Sequence, residues 1–150
     1  MLDPAPTTKI DPTLARGRVE EIHEATATKP AYVVLSFPNT MYRTHLVPGS
    51  PLEALAERAG KTVIGRISAK ARRVDKVGAG GRYIEPVAGR PRRVQGAVIA
   101  TDPSKNTITV NAGAPLTCAL TDKRQKASDF DLGDFVSFGV EPGATFTLDG

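Results

Sequence analysis

From Ala31 onward, apolar and polar residues alternate with a period of two in one segment after another, as in strands with one buried face. Tyr32 to Phe37 is β-branched and aromatic, Pro38-Asn39 is turn chemistry, and Tyr42 to Val47 resumes the strand pattern, so this stretch reads as a hairpin. Val63, Gly65, Ile67, Ala69 and Ala71 then alternate with Ile64, Arg66, Ser68, Lys70 and Arg72, giving a strand with one apolar and one largely basic face. The pattern returns at Val94, Gly96, Val98 and Ala100, in "TITVN", at Leu116, Cys118 and Leu120, at Val136, Phe138 and Val140, and in "TFTL". About eight short strands are expected from this periodicity.

One helix interrupts them. Ser50 has N-cap chemistry, Pro51 suits the first helical position, and Glu53 follows three residues after the cap. Leu52, Leu55, Ala56 and Ala59 share a face, and Gly60 ends the element. Residues 1–30 are read as a flexible, disordered arm. Pro4, Pro6 and Pro12 oppose an early regular element, and "ARGRVEEIHEA" offers at most a helical turn or two around Gly17.

Glycines inside the strand patterns favour a small closed barrel over a flat sheet. Gly65 and Gly96 sit mid-strand, where a strand that serves two sheets must bend. The two segments echo each other as Val-x-Gly-x-(Ile/Val)-x-Ala, which we read as convergence on strand composition rather than duplication. The expected fold is all-β: a small closed or partly open barrel, OB-like, over residues 31–150. Val63, Ile67, Val98, Val110, Leu116, Leu120, Val136 and Phe138 should lie inside it.

Composition adds a compartment and a charge. Cys118 is the only cysteine, which fits a reducing compartment, and no apolar run resembles a signal peptide or a membrane span, so a cytoplasmic protein is expected. The net charge of +4 conceals an asymmetry. Eleven Lys or Arg against two acids between Arg58 and Arg93 give that segment +9, and the rest of the chain carries −5. Such a segment suits a polyanion or an acidic partner.

Gly133-Asp134, just before an apolar-alternating strand, resembles the entry to a barrel strand in OB-fold and cold-shock-like domains. The aromatic-rich strand pair of cold-shock domains is absent. Through "FPNTMYRTHLV", "GGRYIEPVAGRPRRVQG", "RQKASDF" and "GDFVSFGVEPGATFT" the chain also resembles a group of small bacterial proteins of the planctomycete type that carry no assigned function. That resemblance implies a single domain and supplies no activity.

Catalytic signatures are lacking. His23, His45 and Cys118 have no metal-ligand spacing, and no base–nucleophile pair or G-x-S-x-G elbow is present. Cys118 is in phase with Leu116 and Leu120, so it belongs in the core. "GAGG" (78–81) leads into an extended segment instead of a helix and is no P-loop. Neither an enzyme nor a cofactor is expected. Glu85 is read as an ion-pair organiser for Arg82, Arg90 or Arg92. Arg66, Lys70 and Arg72 on one strand face, with Arg82, Arg90, Arg92 and Arg93 around the following loop, should form one basic surface with Tyr83 at its centre. The expected function is non-specific nucleic-acid binding, DNA or RNA, with arginines on phosphates and Tyr83 stacking on a base. The alternative is a protein–protein interaction or assembly module that docks the same surface on an acidic protein partner.

Overall fold

The alternating segments close on themselves. In the computed structural model, which describes residues 11–149, the chain runs through β1 (Ala15–His23), β2 (Tyr32–Ser36), β3 (Arg43–Pro48), α1 (Leu52–Ala56) and β4 (Thr62–Ala71). It continues through β5 (Asp75–Lys76), β6 (Tyr83–Glu85), β7 (Ala88–Gly89), β8 (Arg93–Asp102), β9 (Thr107–Asn111) and β10 (Pro115–Leu120). A 3-10 turn (Ala127–Asp129) precedes β11 (Phe135–Gly139) and β12 (Thr145–Leu148).

The first three strands form an antiparallel meander, and β4 returns antiparallel to β1 with Ala15 opposite Gly65. β12 fills the gap, parallel to β3 and antiparallel to β4. The result is a closed five-stranded barrel, OB-like, with one short helix between its third and fourth strands.

The other half of the chain repeats the scheme. β8, β9 and β10 form a second antiparallel meander, β11 returns antiparallel to β8, and the C-terminal half of β4 lies parallel to β10. This second ring closes through the bridge of Ala71 to Val140 and through the Arg72 N–H, which donates to the Gly139 carbonyl at 2.8 Å. Each half therefore completes the other. β4 runs on to become the fifth strand of the second ring, and the chain after β11 runs on to become the fifth strand of the first.

The repetition holds residue by residue. Val63 pairs with Gly17 as Val136 pairs with Gly96. β1 carries a bulge after Val19, and β8 carries one after Val98. Val19 accepts from the N–H of Gly60 (φ 77) at 2.7 Å, and Val98 from the N–H of Gly133 (φ 92) at 2.8 Å. The fold is duplicated. The echo between residues 63–69 and 94–100 is not its trace, because β4 corresponds to β11 and β8 to β1.

β1 corrects the reading of residues 1–30 as an arm, of which 1–10 lie outside the described residues. Ala15, Gly17 and Val19 face inward and Arg16 and Arg18 outward, a strand alternation written in small residues. Burying Ala and Gly gains little per residue, so the pattern carried little apolar weight. Of the expected interior residues, Val63, Ile67, Val98, Val110, Leu116, Val136 and Phe138 are buried, and so is Cys118. Leu120 is the last residue of β10, where enclosure by neighbouring strands lapses, so it packs against the core but is only half-buried.

The helix is shorter than expected. Ser50 does not cap it; its Oγ accepts from the Leu148 N–H at 2.9 Å, which ties β12 to the start of α1. Leu55 alone is fully buried, Leu52 is half-buried, and Ala56 and Ala59 are exposed. Tyr42 joins three segments: its hydroxyl accepts from the Ile84 N–H at 3.0 Å and donates to the Ala112 carbonyl at 2.9 Å.

Candidate anion-binding surface

Alternation puts Arg66, Lys70 and Arg72 on the outer side of β4 and its extension, but a strand advances about 3.3 Å per residue, so six residues separate Arg66 from Arg72 by roughly 20 Å. The expected single surface is thereby split. Arg66 lies where β4 pairs with β12 and points among threonines. Arg72 lies past the other end, where β11 closes the second ring.

Around Arg72 the loop brings two partners. The N–H of Arg92 donates to the Glu85 carbonyl and the Arg92 carbonyl accepts from the Val140 N–H, so the turn leading from β7 to β8 is held against the end of β11. Arg72, Arg90 and Arg92 then line one concavity of about 200 Å³ over Gly139 and Val140. All three side chains are exposed, and none has a carboxylate within 4 Å among the described residues. Gly139 forms the floor: without a side chain it leaves open the backbone between Arg72 and Arg92.

The remaining expected residues lie around or apart from this concavity. Arg93 is next in sequence, and its Nη2 donates to the buried Ser137 hydroxyl at 2.9 Å. Lys70 and Arg82 are exposed without ion pairs among the described residues. Tyr83 is half-buried on β6 opposite Gln95, outside the concavity. Glu85 stands across from Arg93 in the ladder, yet it forms no ion pair with any arginine, so its role as an organiser is withdrawn. An exposed carboxylate keeps its hydration, and an exposed ion pair gains only about 0–1 kcal/mol in return. Among the described residues the ion pairs of the basic segment are Arg73 to Asp75 at 3.1 Å and Lys76 to Asp134 at 3.3 Å.

Sequence reasoning missed a second feature. His23, Tyr32 and His45 stack across β1, β2 and β3, with ring centroids 4.3 and 4.9 Å apart, and the Lys29 ammonium lies 4.2 Å from the Tyr32 ring centre. His23 Nε2 and Glu21 Oε1 are 2.7 Å apart, and this contact lowers the Glu21 carboxyl below its usual range. Burial, aided by the Lys29 charge, pushes His45 below the usual histidine value. The available signal was the hairpin register, which sets His45 opposite Val34, two residues from Tyr32.

Among the described residues no group of three or more His, Cys, Asp or Glu could hold a metal ion, and no helix is long and apolar enough to cross a membrane. No family model, no curated protein and no solved structure matches this chain.

Proposed function

We propose that this protein binds nucleic acid through backbone phosphates, with Arg72, Arg90 and Arg92 as the contact site and Arg93 and Lys70 at its margin. The observation that carries the reading is the convergence of three exposed arginines with no carboxylate partner among the described residues. Like charges gathered in this way repel one another, and an incoming polyanion removes that repulsion while releasing its own counterions. The planar guanidinium also suits bidentate contact with phosphate oxygens better than an ammonium would. No base-reading element accompanies the arginines, so little sequence preference is expected.

Titrating a fluorescent 15-residue single strand and a duplex of the same length tests this. Binding that weakens linearly in log salt, with a slope of about −2 for the single strand and about −3 for the duplex, fits three phosphate contacts. An acidic protein partner becomes the better reading if neither oligonucleotide binds at about 50 mM salt, where screening is weak.

A further inference from the structure

The duplication provides an internal comparison for every outer face, and one face departs from its counterpart in a chemically coherent way. Thr107, Thr109 and Thr117, with Asp102 and Arg66, line a cavity of about 450 Å³ outside β8, β9, β10 and β4, within the volume range of small-molecule sites. In the strand pairings, Tyr32, Val34, His45 and His23 occupy in the first ring the positions of Thr107, Thr109, Thr117 and Asp102. The same ladders thus form with a valine in place of Thr109 and with ring side chains in place of Thr107 and Thr117. The fold does not require the threonine hydroxyls.

Those groups are connected. Arg66 Nη1 donates to Thr117 Oγ1 at 3.1 Å and to Thr13 Oγ1 at 3.3 Å, and Thr117 Oγ1 lies 3.1 Å from Thr109 Oγ1. This fixes the guanidinium on a half-buried strand face, while Nη2 and Nε make no hydrogen bond among the described residues. In the same cavity Asp102 Oδ1 accepts from the Ser104 N–H, the Ser104 hydroxyl and the Lys105 N–H, which shapes the turn that brings Lys105 to the lining. Asp102 Oδ2 is left without a protein partner among the described residues.

We infer that this cavity binds a small phosphorylated sugar. Arg66 and Lys105 take the phosphate dianion, the threonine hydroxyls complete its hydrogen bonds, and Asp102 Oδ2 accepts from a sugar hydroxyl. Asp102 Oδ1 is engaged by its own turn, and the free Oδ2 beside the two cations favours a ligand that carries donors beside its charge over a bare anion.

An amide NMR titration of the isotope-labelled full chain with ribose 5-phosphate tests the assignment. Saturable shifts are expected at Thr101, Thr107 and Thr117, with no response to ribose alone and at least tenfold weaker binding of inorganic phosphate. Arg66→Gln and Lys105→Ala should each weaken ribose 5-phosphate at least tenfold, and Lys105 lies on an exposed turn, so that variant keeps its fold. Arg92→Ala should change nothing, which separates this site from the arginine concavity. The inference is overturned if no saturable shift appears up to about 10 mM, if inorganic phosphate binds as tightly, or if the shifts survive both substitutions.

Discussion

Gly17 and Gly96 stand in the same place in the two rings, each opposite a buried valine and each pressed by the strand that follows it in the meander. A side chain at Gly17 would meet the Ser36 carbonyl oxygen at 3.1 Å and the Phe37 ring at 3.2 Å. One at Gly96 would overlap the Asn111 carbonyl oxygen and approach its carbon to 2.7 Å, so the second ring is drawn tighter at this point.

Gly96→Ala should therefore be the costlier change. Backbone cannot yield as an aromatic ring can, and overpacking of this kind costs about 1–3 kcal/mol. Urea unfolding of Gly96→Ala and Gly17→Ala should show the larger midpoint loss for Gly96. Equal midpoints would mean that the two rings are not strained as their geometry implies.

The duplication also identifies a residue that is poorly placed. Thr44 is 2% exposed on β3, and its hydroxyl has no partner among the described residues, whereas the second ring puts Leu116 in the corresponding position. Thr44→Val removes the orphaned hydroxyl at nearly constant volume and should raise stability by about 1 kcal/mol. A lower midpoint in thermal or urea unfolding would show that the hydroxyl has a role.

Cys118 is fully buried, and burial raises its thiol to about 12. It stays protonated and enclosed, so a thiol reagent at pH 8 should label the folded protein slowly and the unfolded protein at once. Rapid labelling of the folded protein would contradict the core assignment.

The ring stack gives a pH dependence. His45 packs beside Tyr32 with His23, Lys29 and Glu21 around it, and its folded value lies below 6.5 because burial and the nearby cation oppose its charge. As pH falls below about 6.5 the unfolded chain takes up the proton first, so stability falls over that window and recovers as pH rises. Unfolding midpoints between about pH 8 and 5 should decline, and His45→Gln should flatten the decline. An unchanged slope in the variant would place the titration elsewhere.

Much of the barrel was legible because large apolar residues alternate in phase: Val63 with Ile67, Leu116 with Cys118, Val136 with Phe138. β1 was not, since Ala15 and Gly17 carry the inward positions and the bulge after Val19 breaks the phase. The duplication was hidden for another reason. Backbone pairing repeats while the outward residues do not, so His45 corresponds to Thr117 with nothing in common except the strand position. The candidate site was half legible: charge density marked residues 58–93, but strand length divided Arg66 from Arg72, and only the turn held by Arg92 could bring Arg90 to the same place.

The central claim is that Arg72, Arg90 and Arg92 act together on phosphates, and the salt dependence of the Arg90→Ala, Arg92→Ala double variant tests it most directly. Both side chains are exposed and unpaired among the described residues, so the fold should be unaffected, which the unfolding midpoint checks. Loss of two of three phosphate contacts should reduce the duplex slope from about −3 to about −1 and weaken unrelated sequences alike. An unchanged slope with unchanged affinity would contradict the account and move nucleic-acid binding, if any is found, away from this concavity.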